Sequence, residues 1–289
     1  MKKGLITGGS GFVVAIAALL LAGYFYMAVS ASRTQTTTFD EGVHITAGYN
    51  AWKLHDHRFD PGNGDFLKRW ATLPLLFSKP HFPSFDSENW RTAVFFVFSR
   101  DLLFHAGNDP GSILLQTRSM VALLGVALGF FVFACSRRLF GDAGGLISVA
   151  LFAFCPNMLA HGALVSTDLT LAATLLASAW FIWLLLHRVS WPILVGSLLA
   201  FSLLVISKMT AVLIAPIAVI LIVARLFNHE PWLWQLRGNR SVATRGRQSV
   251  ALLALIVLHG LAGWGTIWTV FDFKYVARGN PAEVNLTLP

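Results

Sequence analysis

Three short stretches hold the side chains that could do chemistry. FDEGVHITAGYNAWKL (39–54) puts Asp40, Glu41 and His44 just beyond a long apolar run. HGALVSTDL (161–169) brings His161 and Asp168 to the edge of another apolar run, and ISKMTA (206–211) sets Lys208 in the turn between two more. A carboxylate near a membrane surface can take a proton from a hydroxyl, and a lysine can pair with a phosphate. Each residue also has a purely structural explanation. Thr38-Phe39-Asp40-Glu41 fits a capping box, with Thr38 as the cap and Glu41 reaching back. Ser166 or Thr167 could start a helix with Asp168 in its first turn, and Lys208 could snorkel. Capping explains Glu41 well and Asp40 poorly. On a helix Asp40 and His44 share a face with Ala47, Gly48 and Ala51, whose small side chains predict a shallow groove with room for a bound molecule.

The elements that must position these residues are membrane spans. The chain of 289 residues is 55% hydrophobic and 12% charged, with 10 Trp and 23 Phe; soluble domains carry about 25% charged residues. Apolar runs near 11–29, 119–136, 143–160, 168–187, 191–206, 209–227 and 249–271 approach or reach the roughly 20 residues that cross a bilayer. The expected fold is an all-α polytopic membrane protein of about seven transmembrane helices. It reads as a single domain over 1–289, with a long first outer loop at 30–118.

The net charge of +8 does not indicate nucleic acid, because of where it lies. With the N-terminus inside, the cytoplasmic segments hold Lys2, Lys3, Arg137, Arg138, Arg188, Arg225, Arg237, Arg240, Arg245 and Arg247 against only Asp142 and Glu230. The outer segments carry the remaining bases and acids in equal number, which is the positive-inside signature. Cys135 and Cys155 fall inside apolar runs and form no disulfide framework or zinc-ligand spacing.

GLITGGSGF (4–12) has the look of a dinucleotide-binding turn, but it runs into a span rather than a βαβ unit. The small residues Val29-Ser30-Ala31 would suit signal cleavage; the length of the apolar core favours an uncleaved anchor. In the outer loop, Asp40–Lys53 and Trp90–Phe104 suit helices with apolar faces for the membrane surface. Pro61, Gly62, Gly64, Pro74, Pro80 and Pro83 mark turns. Trp52, Trp70 and Trp90 read as interfacial anchors, and His55, His57 and His81 as surface histidines. Residues 228–248 read as an arginine-rich loop facing lipid headgroups, and Asn285-Leu286-Thr287 as a chance glycosylation sequon.

FDEGVHITAGYNAWKL followed by LPLL, then RSMVALLGVALGFFVFACSRRLFGDAGG, PNMLAHGALVSTD and SKMTA, resembles the membrane glycosyltransferases of the GT-C class. The nearest branch is the protein mannosyltransferases and lipid A aminoarabinose transferase-like enzymes. The resemblance implies transfer of a sugar from a polyprenyl-phosphate donor to a hydroxyl of a protein, lipid or glycan acceptor, with inversion. It makes Asp40 the general base, Glu41 a residue that caps or orients the helix, and Asp168 one that positions the acceptor or helps hold a cation. Lys68, Arg69 and Lys208 are candidates to meet the leaving phosphate. Some relatives bind a divalent ion, and Asp40 with His44, or His161 with Asp168, could contribute ligands, although a complete set at diagnostic spacing is missing. Otherwise His44 and His161 are substrate-site residues.

The compact loop and the lack of disulfides point to a bacterial inner membrane with a periplasmic active site. Two departures stand out. PGNGDFLKRW (61–70) replaces the His-Pro-Pro-Leu of many relatives, implying a distinct subfamily. Relatives are also usually longer, so further spans are expected downstream or from a second chain. The rival readings are a transporter or flippase with these ions on its path, and a catalytically silent module acting as an assembly partner.

Overall fold

The computed structural model describes residues 10–227, 231–236, 238, 240–242 and 244–274. Lys2, Lys3, Glu230, Arg237, most of the glycine-rich stretch and the sequon lie outside them. The protein is all-α and polytopic, and its described residues form two compact units, 10–61 with 67–170 and 62–66 with 171–274.

The first unit begins with α1 (Ser10–Ser32), α2 (Glu41–Lys53), α3 (Asp65–Thr72), α4 (Leu75–Ser78), α5 (Glu88–Arg91) and α6 (Phe95–Phe104). It continues with α7 (Pro110–Ala153) and α8 (Pro156–Gly162) and takes in the start of α9 (Thr167–His187). Asp109 opens α7, its carboxylate accepting from the Gly111 N–H at 2.9 Å, and Pro110 supplies the pre-set φ of a first helical position. Gly141 interrupts α7 with a φ of 77°, open to glycine without steric cost. The Ser148 hydroxyl meets the Ser136 hydroxyl at 2.8 Å, yet twelve residues of straight helix extend about 18 Å. The two halves therefore fold back on each other, with Arg137 bridging to Asp142 at 2.6 Å near the turn. The span expected at 143–160 is broken instead: α7 ends at Ala153 and Pro156 starts α8, because proline disfavours helix in the residue before it.

Small residues let α1 pack closely on α7. Tyr24 is fully buried, donates to the Met158 carbonyl at 3.0 Å, and fills the space left by Gly125 and Gly162. α2 differs from the expected surface helix, since every residue from Glu41 to Ala51 is buried. The groove expected on its Ala47 and Gly48 face is filled, and a cavity of about 310 Å³ lies instead against Gly42 and Val43, between α2 and α6. Ala47 packs with Phe59 and Phe98, and a side chain at Gly48 would overlap the Lys68 carbonyl of α3. The expected helix Trp90–Phe104 is two, α5 and α6, parted by Ala93 at positive φ. Trp70 donates to the Met120 carbonyl at 2.7 Å, and Trp90 stacks among Phe59, Phe85 and Phe98 beneath Arg58. These tryptophans tie the loop together within the unit. His57 is buried rather than on the surface.

The second unit contains most of α9, then β1 (Arg188–Val189), α10 (Trp191–Val205), a 3₁₀ turn (Met209–Leu213), α11 (Ile214–Phe227), β2 (Trp232–Trp234), β3 (Arg240–Val242) and α12 (Arg245–Val270). β2 lies between β1, parallel to it, and antiparallel β3. The expected headgroup loop is thus partly folded. Trp232 is fully buried among Leu185, Leu186 and Val189, and its indole donates to the Leu185 carbonyl at 2.8 Å. Residues 62–66 join this unit through the Phe66 N–H, which donates to the Ile206 carbonyl at 3.0 Å, and an Asn63–Lys208 bridge. A side chain at Gly64 would overlap that carbonyl. Ser197 donates to His259 Nε2 at 2.8 Å while His259 Nδ1 donates to the Leu255 carbonyl, linking α10 to α12. Five helices among the described residues are long and apolar enough to cross a membrane, the α7 hairpin being counted once. α10 is apolar but shorter.

Candidate active site

The buried pair Glu41–Arg118 organises the first unit. Both side chains are essentially inaccessible. Arg118 Nε donates to Glu41 Oε1 at 2.8 Å and Nη2 to Oε2 at 2.6 Å. Its other three N–H bonds go to the carbonyls of Ser32, Gln35 and Thr36. All five guanidinium donors are thereby used. Glu41 also accepts from the Thr38 N–H and hydroxyl and from the Val165 N–H at 3.0 Å. Half of the expected capping box forms: Glu41 reaches back, but the Thr38 hydroxyl donates to the carboxylate instead of capping the helix. Burial acts to raise the Glu41 carboxyl; the Arg118 bonds and the two backbone N–H groups outweigh it and hold the group below its ordinary range.

This pair ties together the two chain segments that carry the distant acids. Asp40 precedes Glu41, and Asp168 stands three residues beyond Val165, so both flank the Glu41–Val165 bond. Asp40 occupies the N-terminal position of α2 with its carboxylate exposed and capping nothing. Asp168, in the first turn of α9, is half exposed and lies 3.8 Å from His161 Nδ1, which also faces the Ser166 hydroxyl at 3.4 Å. Glu41 is thus a fixed structural charge beside an exposed Asp40, bonded to the segment that leads to Asp168.

His44 lies one turn beyond Asp40 and is buried, its Nδ1 2.8 Å from Asp60 Oδ2. Lys68, also buried, donates from Nζ to the Asp60 carbonyl at 3.0 Å and sits 3.9 Å from Oδ2. Asp60 adopts a φ of 54°, a region Asp tolerates better than most residues. Arg69 lies over the Trp52 ring at 4.9 Å, and its carbonyl accepts from that indole. Among the described residues no three His, Cys, Asp or Glu side chains group as metal ligands. Asp168 with His161 is a pair, short of the three or four ligands of a protein metal centre.

Lys208 belongs to the second unit, at the start of the 3₁₀ turn. It lines a cavity of about 480 Å³ together with Phe201, Val212, Ile222, Leu255 and His259. The lining is otherwise largely apolar, so the cavity is an apolar chamber with a cation in its wall.

Arg118 and Asp60 escaped the sequence reading. The first had a signal: a guanidinium opening the apolar run after residue 118 needs a carboxylate. Asp60, inside a proline- and glycine-marked turn, had none.

No curated protein and no solved structure was found to match the chain. A model of the dolichyl-phosphate-mannose-protein mannosyltransferase family matches residues 111–264, just over half of it, from the first turn of α7 into α12. The matched region contains Arg118, His161, Asp168 and Lys208 and leaves out Asp40 and Glu41. The chain belongs to the dolichyl-phosphate-mannose-protein mannosyltransferase family and is a membrane glycosyltransferase of the GT-C type.

Proposed function

We propose that the protein moves a sugar from a polyprenyl-phosphate carrier to an acceptor hydroxyl with inversion, using Asp40 as the general base. The observation that carries this reading is the contrast between adjacent acids: Glu41 is sealed and fully bonded, while Asp40 is exposed at the head of the helix that Glu41 anchors. Asp40 takes the proton of the acceptor hydroxyl as its oxygen attacks the anomeric carbon, and the phosphate leaves from the opposite face with the bonding pair. General-base assistance of this kind contributes about 10²–10⁴-fold. Asp168, held near by the Glu41–Val165 bond, positions the acceptor.

The apolar cavity suits an isoprenoid tail, and Lys208 in its wall suits the phosphate. The family's description supports mannose as the sugar, the charge pattern supports chemistry at the outer face, and the compact loop without disulfides supports a bacterial inner membrane. The test is transfer from radiolabelled polyprenyl-phosphate mannose in membranes of cells that make the protein, compared with membranes of cells lacking its gene. Protein-dependent movement of label onto a membrane acceptor, with inverted linkage, supports the reading. Equal labelling in both membranes, or a retained linkage, overturns it.

A further inference from the structure

The base reading leaves a buried ion cluster one helical turn from Asp40 without a role. Asp60 and His44 share a 2.8 Å hydrogen bond, and Lys68 balances the Asp60 charge. Holding several ionisable groups in a protein interior is costly, and a neutral hydrogen bond would tether the loop as well. With the carboxylate accepting the Nδ1 proton, the neutral imidazole carries its lone pair on Nε2. That Nε2 bonds to no described residue, and it is not among the sealed buried polar atoms.

Several neighbouring charges have partners of their own. Asp56 pairs with Arg58 in the same loop, and Asp101 pairs with Arg100 and His105 on α6. His57, also in the loop, is buried and engaged. Asp60 is therefore the acid bonded to His44, with Lys68 behind it.

We propose that Asp60 and His44 form a carboxylate–imidazole relay that receives the acceptor's proton from Asp40; this rests on Asp40 being the base. The bond-making step leaves Asp40 as a neutral carboxylic acid. Its proton passes to Nε2 of His44, the residue on the next helical turn whose backbone N–H donates to the Asp40 carbonyl at 3.0 Å. The resulting imidazolium is stabilised by the Asp60 carboxylate, and loss of that proton to solvent resets both groups. Asp60 is a positioning residue, acting only through His44.

The test uses the intact protein in its own membranes, with radiolabelled polyprenyl-phosphate mannose as donor. Asp60→Asn keeps an acceptor for Nδ1–H but removes the charge. It is expected to lower turnover about 10- to 100-fold with the KM for donor unchanged, and His44→Gln combined with it is expected to be no slower than His44→Gln alone. Wild-type turnover in Asp60→Asn, or a change confined to KM, overturns the relay. If Asp60→Asn does not accumulate as folded protein, the ¹⁵N spectrum of His44 in the unmodified protein decides. Protonation at Nδ1 with a bare Nε2 agrees with the relay, and a proton on Nε2 overturns it. Full turnover in Asp40→Asn removes the base reading beneath it, whereas an inactive Asp40→Asn beside a normal Asp60→Asn removes the relay alone.

Discussion

Replacing Arg118 by methionine keeps the approximate length of the side chain and removes the guanidinium. Glu41 is then left in the interior with its Oε1 and Oε2 stripped of the two arginine bonds, and the carbonyls of Ser32, Gln35 and Thr36 lose their donor. Both partners are inaccessible to water in the folded protein, so hydration cannot replace what is lost. Stranding one member of a buried ion pair costs about 3–5 kcal/mol. At about 2–4 °C per kcal/mol for a domain of 150–250 residues, the thermal midpoint should fall by on the order of 10 °C. Arg118→Lys keeps the charge but presents three donors rather than five, and should lie between. Glu41→Gln with Arg118→Met should cost less than the two single changes added, because neither then strands a charge. The assay is the thermal midpoint of detergent-solubilised protein followed by size-exclusion fluorescence. A fall in Arg118→Met of under about 2 °C, less than 1 kcal/mol on the same scale, would refute the claim that this pair holds the α2 junction.

Three further outcomes follow from the geometry. Gly48→Ala drives a methyl into the Lys68 carbonyl and should destabilise by about 1–3 kcal/mol, read from the same midpoint. Because Glu41 is held below its ordinary range when folded, its contribution is present above the unfolded value of about 4.3 and is lost as pH falls through the folded value. Midpoints measured from pH 7 down to pH 3 should show this acid loss in wild type and a flatter profile in Glu41→Gln. Lys208→Met removes the cation from the cavity wall and should raise the KM for polyprenyl-phosphate mannose about 10-fold or more; an unaltered KM would move the phosphate site elsewhere.

Spans were legible because length and hydropathy are properties of contiguous residues. The α7 hairpin was visible as two apolar runs around SRRLFGDAGG, and Gly141 supplies the turn. The α2 helix was visible too, but its burial was not, since burial depends on α3, α4 and α6 arriving from elsewhere. Gly48 shows the ambiguity: a small residue on a helix face reads equally as an empty groove or as a contact with another backbone, and here the backbone of α3 fills it. Trp232 is a similar case. Short strands between arginines carry no periodicity to read, and only their pairing with Arg188–Val189 defines them. At the site, the acids and the histidine were legible by type and spacing. Their division of labour was not, because the partners that make Glu41 structural and place His44 on Asp60 stand 77 and 16 residues away.

The most direct measurement is sugar transfer by Asp40→Asn in its native membranes, alongside its thermal midpoint and its binding of polyprenyl-phosphate mannose. The account predicts turnover reduced by about 10²–10⁴-fold in a protein that folds and binds donor like wild type, since the Asp40 carboxylate supports no other part of the fold. Undiminished transfer by the folded variant would contradict it.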